Sequence, residues 1–145
     1  MQQYLQNKKG LDEGVFNNVY NQYDLMNDFM SLGAHRLWKK TMLNMMNPSN
    51  NQKLIDVACG TGDIAKLFLK KYKNKIEITC VEPNMSMLKE GKNKLKKFDT
   101  IKWINANAEK IPLENDTFDY YTISYGIRNV TDINAALKEA FRVLK

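Results

Sequence analysis

Residues suited to metal or disulfide chemistry are scarce in this chain. Of 145 residues, two are cysteine and one is histidine. Cys59 and Cys80 fall at the ends of apolar runs, with no Cys-x-x-Cys pair and no histidine at ligand spacing. No metal site is therefore expected, and both read as reduced core or near-ligand residues. Long apolar runs are missing too. Nothing approaches the roughly 18 consecutive apolar residues of a membrane span. The start, Met1-Gln2-Gln3-Tyr4-Leu5-Gln6-Asn7-Lys8-Lys9, lacks both the apolar core of a secretion signal and the arginine and serine content of a transit peptide. Any organelle address would have been removed or would lie outside this sequence. Clustered arginine alternating with aromatic residues is also absent, which argues against nucleic acid as a partner. The net charge of +6 is nearly all lysine. It reads as solvated surface, with attraction to an anionic membrane surface as the alternative.

What is present suffices for one core. At 43% hydrophobic, a chain of this length buries about 68–70% of its unfolded surface on folding. Its organising stretch is Leu54-Ile55-Asp56-Val57-Ala58-Cys59-Gly60-Thr61-Gly62-Asp63-Ile64-Ala65. The apolar residues suit a buried parallel strand, and Gly60 and Gly62 let the backbone turn tightly and approach a ligand. A helix is predicted from about Asp63, so exposed N–H groups face the turn. A second apolar run, Ile76 to Val81, ends in Glu82, twenty positions after Gly62. That placement suits a carboxylate accepting from both hydroxyls of a ribose.

Two cofactor classes fit such a loop. Gly60-Thr61-Gly62-Asp63-Ile64-Ala65 satisfies the Gly-x-Gly-x-x-Gly/Ala pattern of dinucleotide enzymes. Asp56 argues against NAD, because a carboxylate in the first strand adds like charge beside a pyrophosphate. Near the ammonium of an amino-acid group it is favourable, directly or through water. S-adenosylmethionine carries such a group, with a ribose, an adenine and no phosphate.

Along the chain, Val15, Phe16, Val19, Tyr20 and Tyr23 recur at helical spacing, and Tyr23 to Trp38 mixes polar with Met and aromatic residues in the manner of a pocket lining. A second helix is predicted with Trp38, Met42, Met45 and Met46 on one face, ended by Pro48-Ser49-Asn50-Asn51. Residues 1–52 are read as a helical cap and residues 53–145 as the cofactor-binding half. In that half strands and helices alternate: Ile64, Leu67, Phe68 and Tyr72 mark one helix, Leu88, Gly91 and Leu95 the next, and Ile101 to Asn105 a third strand. Phe118 to Ser124 is a fourth strand, followed by a helix from about Ile133 to Lys145. This alternation predicts a doubly wound α/β sheet. Asn107 and the Ala108 N–H follow the third strand, on the side where such sheets bind ligands, and can meet adenine edges. Ser124-Tyr125-Gly126-Ile127-Arg128-Asn129-Val130-Thr131-Asp132 follows the fourth, beside the same crevice.

Three stretches together resemble the ubiquinone and menaquinone C-methyltransferase family of class I S-adenosylmethionine-dependent enzymes. They are Tyr23-Asp24-x-Met26-Asn27 through Ser31 to His35-x-x-Trp38, Asp56 to Asp63, and Gly126 to Asp132. Two positions depart from the pattern: Cys59 stands where the family usually has glycine, and Glu82 where it usually has aspartate. The resemblance implies a Rossmann-like sheet of strand order 3-2-1-4-5-7-6, of which about four strands are present. It follows that the sequence is expected to be a shortened piece, with strand four left as an edge beside Tyr120, Tyr121, Ile123 and Tyr125.

The resemblance further implies methyl transfer from S-adenosylmethionine to a ring carbon of a polyprenylated benzoquinol in ubiquinone biosynthesis. Demethylmenaquinol methylation is an alternative, as is a catalytically silent subunit of a quinone-biosynthesis complex. Thr61, Glu82, Asn107, Ala108 and Ser124 are then cofactor contacts, together with Asp56, Gly60 and Gly62. Arg128 would stabilise a phenolate, Asn129 would orient a proton-accepting water, and Tyr23 or Asp24 would contact a hydroxyl or accept its proton; His35 is a weaker candidate base than a structural hydrogen-bonding group. A polyprenyl substrate implies peripheral membrane contact and leaves room for other quinone-biosynthesis proteins or a homodimer as partners. The site would be the matrix side of the mitochondrial inner membrane in a eukaryote, and otherwise the bacterial cytoplasm or inner membrane face.

Overall fold

A computed structural model describes residues 34–72 and 76–145. The chain divides into two units, Met1–Thr41 and Met42–Lys145. In the first, the described residues begin helix α1 (Ala34–Met46); Tyr23 and Asp24 lie outside the described residues, as does the first predicted helix. The second unit carries β1 (Lys53–Val57), α2 (Asp63–Tyr72), β2 (Glu77–Val81), α3 (Met85–Lys94), β3 (Ile101–Ile104), β4 (Tyr120–Thr122), a 3-10 helix (Gly126–Asn129) and α4 (Ile133–Val143). The four strands form one parallel sheet in the order β3-β2-β1-β4. The central strands are buried on both faces, which is why Leu54-Ile55-Asp56-Val57 and Ile78-Thr79-Cys80-Val81 read as continuous rather than alternating runs.

Alternate residues of these strands build two cores. On one face Leu54, Ile78 and Cys80 meet Ile64, Phe68 and Leu69 of α2 and Leu95 at the end of α3. On the other, Ile55, Val57 and Val81 meet Ala136 and Val143 of α4 and Ala108, Ile111 and Phe118. Asn84 caps α3 by accepting from the Ser86 and Met87 amides at 2.9 and 3.1 Å, the role its short side chain fills at a helix start.

Several predicted boundaries shift, each for a local reason. The fourth strand covers Tyr120–Thr122 instead of Phe118 to Ser124. Phe118 pairs with Leu144, and Tyr125 adopts a left-handed conformation (φ 62°) that ends the extended run. The same pairing ends α4 at Val143, since Leu144 is extended. The third strand stops at Ile104 because Asn105 uses its side chain to hold the tip of β2. The expected apolar face of α1 holds in part: Met42 and Met46 pack against the core beside the buried Leu43, whereas Trp38 and Met45 are exposed.

Candidate functional site

Apart from His35, which lies in α1, every described candidate residue lies near or beyond the C-terminal end of a strand, where a parallel sheet leaves backbone N–H groups and helix N-termini facing one crevice. The turn after β1 places Ala58, Gly60 and Gly62 at φ values of 51°, 59° and 80°. Cys59 is not in this left-handed region, so a side chain is sterically accepted there in place of glycine. Its thiol joins the core cluster that contains Cys80. The Cys80 thiol, burial and the Asp56 and Glu82 carboxylates all push the Cys59 thiol upward. A half-buried thiol pushed upward in this way stays protonated and is a poor nucleophile.

Glu82 is the pivot of the turn. It is 5% exposed, and its Oε2 accepts from the Gly60 amide at 2.8 Å while Oε1 accepts from the Asn84 amide at 2.9 Å. Burial pushes its carboxyl above the ordinary value of 4.5, and those two backbone bonds pull it back. Each carboxylate oxygen keeps a second lone pair for a ligand hydroxyl. Asn105 supports the pivot by donating to the Glu82 and Pro83 carbonyls at 2.8 and 2.9 Å.

Asp56 is buried in β1, and its Oδ1 accepts from the Thr122 hydroxyl at 2.7 Å. This bond ties the acid of the central strand to β4. Thr61 is also buried; its hydroxyl accepts from Lys94 Nζ at 3.2 Å, and the same ammonium lies 3.3 Å from Asp63 Oδ1. Thr61 therefore presents its side chain to α3, leaving its backbone as the part nearest the turn. The ion pair is about one-third exposed on each side, so it orders the turn more than it stabilises the fold.

Beneath the turn lies Trp103. A Cβ on Gly62 would come within 2.8 Å of the indole, and one on Gly91 within 2.6 Å. Gly91 thus opens a notch in α3 for the ring that supports the turn from below. On the opposite side, a Cβ on Gly126 would lie 2.4 Å from Ala58 Cβ. This contact seats the 3-10 helix carrying Arg128 and Asn129 directly on the glycine turn. Ser124 is half-buried just before it, while Arg128 and Asn129 are exposed. Asn107 is exposed and Ala108 buried after β3.

The structure therefore gathers Asp56, Gly60, Thr61, Gly62, Glu82, Asn107, Ala108, Ser124, Arg128 and Asn129 along one sheet edge. Sequence reasoning missed the groups that hold them: Lys94, Asn105, Trp103 and Glu109. Gly91 was the one available signal, since a glycine inside a helical run often makes room for a neighbour. Among the described residues no cluster of metal-binding side chains occurs.

This arrangement of sheet, turn and acid defines an α/β fold of the class I methyltransferase type. It is similar to a SAM dependent methyltransferase from Aquifex aeolicus, with a TM-score of 0.67 and 19% identity over 74% of this chain and 58% of that one. It is also similar to the YcgJ protein of Bacillus, with a TM-score of 0.67 and 22% identity over 74% of this chain and 45% of that one. At these identities the likeness concerns the fold alone. Closer relatives narrow the assignment: the chain belongs to the ubiE/COQ5 methyltransferase family, which it matches over residues 2–145. It is 51% identical to a protein of Rickettsia massiliae named ubiquinone/menaquinone biosynthesis C-methyltransferase, over 95% of this chain and 58% of that one. The corresponding protein of Rickettsia felis is 50% identical over the same shares. The chain thus spans 58% of the length of these relatives.

Proposed function

We propose that the protein uses S-adenosylmethionine to methylate a ring carbon of a polyprenylated quinol, of the benzoquinol or the naphthoquinol class. The observation that carries this reading is the Glu82 pivot, a buried carboxylate bonded to the Gly60 amide beside the turn, in a chain of this family. The residues present fit the cofactor. Left-handed glycines leave room for close approach, Glu82 retains acceptor capacity for ribose hydroxyls, and Asp56 supplies negative charge for an ammonium, directly or through water. The backbone at Thr61, the Asn107 amide, the Ala108 N–H and Ser124 complete the set of contacts.

S-adenosylmethionine, when bound, supplies an electrophilic methyl group. The protein's task is to make carbon nucleophilic and to hold the reactants in line. A quinol carbon becomes a strong nucleophile when an ortho or para hydroxyl loses its proton. Arg128 stabilises the resulting phenolate and lowers the hydroxyl pKa by its fixed positive charge. Asn129 orients the water that takes the proton; Tyr23, a candidate for hydroxyl contact from its sequence pattern, lies outside the described residues. The apolar tail brings the protein to a membrane surface, where lysine-rich surface favours anionic lipid. Among the described residues no helix is long and apolar enough to cross a membrane. Since the relatives described above are bacterial, the inner face of a bacterial membrane is favoured over the mitochondrial alternative. Other quinone-biosynthesis proteins and a second copy of the chain are candidate partners.

The test is transfer of a labelled methyl group from S-adenosylmethionine to a short-tailed demethylated quinol, followed by mass spectrometry of the product. Transfer is expected with the wild-type chain, falling by about 10²–10³ in Arg128→Ala if the guanidinium stabilises developing charge. Failure of a chain that binds the cofactor to methylate either quinol class would remove the substrate assignment.

A further inference from the structure

We propose that Glu109 is a positioning residue that couples the adenine side of the site to the acceptor side. The inference rests on the cofactor reading above and adds a route by which one ligand prepares the binding of the other.

Glu109 immediately follows Asn107 and Ala108, yet its carboxylate is directed to a different segment. Its Oε1 accepts from the Thr131 amide at 2.9 Å and from the Asp132 amide at 3.4 Å, more than twenty residues away. Asp132 has its own task as the cap of α4, accepting from the Ala135 amide at 3.0 Å. Glu109 therefore serves the two N–H groups that enter the helix, and its own backbone N–H and the Thr131 amide are the main influences holding its carboxyl below the ordinary range. Only Val130 separates Thr131 from Asn129. Val130 packs into the core on the α4 side of the sheet, and its amide donates to the Ile127 carbonyl at 3.4 Å. The segment from Arg128 to Asp132 is thus anchored at both ends, by Gly126 against Ala58 and by Thr131 against Glu109. Ordering of Asn107 and Ala108 by a bound adenine fixes the first atoms of Glu109. Through its carboxylate this ordering steadies the segment that carries Arg128 and Asn129.

A helix cap with no further role would stabilise α4 equally with and without ligand. Coupling makes a different demand, because cofactor binding must change the Thr131 and Asp132 amides. The experiment follows amide hydrogen exchange residue by residue by NMR, with and without S-adenosylhomocysteine, in the wild-type chain, Glu109→Ala and the milder Glu109→Gln. In the wild type the ligand is expected to slow exchange at Thr131 and Asp132 by about tenfold, the scale of a hydrogen bond to a charged acceptor. In Glu109→Gln that gain should shrink, and in Glu109→Ala it should vanish, while residues 60–62 and 105–108 remain protected by ligand. Equal gains in wild type and both variants would overturn the proposal. A wild-type chain that binds the ligand without any change at Thr131 and Asp132 would overturn it and leave the cofactor reading intact. Absence of binding to the folded wild type would overturn both.

Discussion

Gly91 shows how a tertiary contact can outweigh a local preference. In an exposed helix, replacing glycine by alanine gains about 1 kcal/mol. Here the added Cβ would lie 2.6 Å from the Trp103 ring and 3.2 Å from the Thr61 carbonyl carbon. The ring is itself wedged under Gly62, and overpacking of this kind costs about 1–3 kcal/mol. The contact should therefore offset or exceed the helix gain. Gly91→Ala is expected to fail to stabilise, with a net change between about zero and a 2 kcal/mol loss on urea denaturation, and to weaken S-adenosylhomocysteine binding through the displaced turn. A stabilisation near the full helix gain would show that Trp103 yields freely. The sequence made Gly60, Gly62 and Glu82 legible because their spacing reports chemistry. It did not reveal Trp103 or Lys94, since an indole beneath a turn and a lysine among many lysines carry no periodic signal.

Among the elements, α4 owes its place to a strap of charge as well as to its apolar face. Arg142 donates to the Glu139 carboxylate, to the Leu113 and Ile111 carbonyls at 2.7 Å and to Asn115 Oδ1 at 2.8 Å. Glu139 in turn accepts from the Ile111 amide at 2.7 Å. The loop from Ile111 to Asn115, which leads from the Asn107 segment into β4, is thereby fastened to α4. The Arg142 guanidinium, foremost among the causes, holds the Glu139 carboxyl below its ordinary value of 4.5. A carboxyl depressed in the folded state stabilises fully above its unfolded pKa and loses that contribution as pH falls through the folded value. Glu139→Gln should accordingly unfold more easily at pH 7, by roughly 1–3 kcal/mol. The gap to wild type should hold above the ordinary carboxyl value of 4.5 and narrow progressively as pH falls below it, through the depressed folded-state value; a gap independent of pH would assign the loss to packing. The strands β1 to β4 and the helices after β1, β2 and β4 were legible as alternating apolar runs, whereas their order in the sheet was implied by the family resemblance. Strand ends were less so, because Asn105, Leu144 and Tyr125 are set by side-chain bonds, long-range pairing and a left-handed backbone.

Across the whole molecule, the candidate residues from Asp56 to Asn129 share the C-terminal edge of one parallel sheet, and three ties hold that edge together. Asn105 joins β3 to the Glu82 corner, Thr122 joins β4 to Asp56, and Gly126 seats the acceptor segment on the glycine turn. Doubly wound topology explains why residues from position 56 to 129 converge, and why a pattern of strands and helices was enough to foresee their common edge. Tyr23 took its role from resemblance and lies outside the described residues, as do residues 1–33 of the helical cap read over 1–52. The central claim is that this edge holds S-adenosylmethionine through the Glu82 pivot. Calorimetric titration of the chain with S-adenosylhomocysteine, with NAD as control and Glu82→Ala as the site variant, tests it most directly. Saturable binding of S-adenosylhomocysteine alone, lost in a Glu82→Ala chain that still unfolds cooperatively, is the result expected. Preference for NAD, undiminished binding in the variant, or no binding by a cooperatively folded wild type would contradict it.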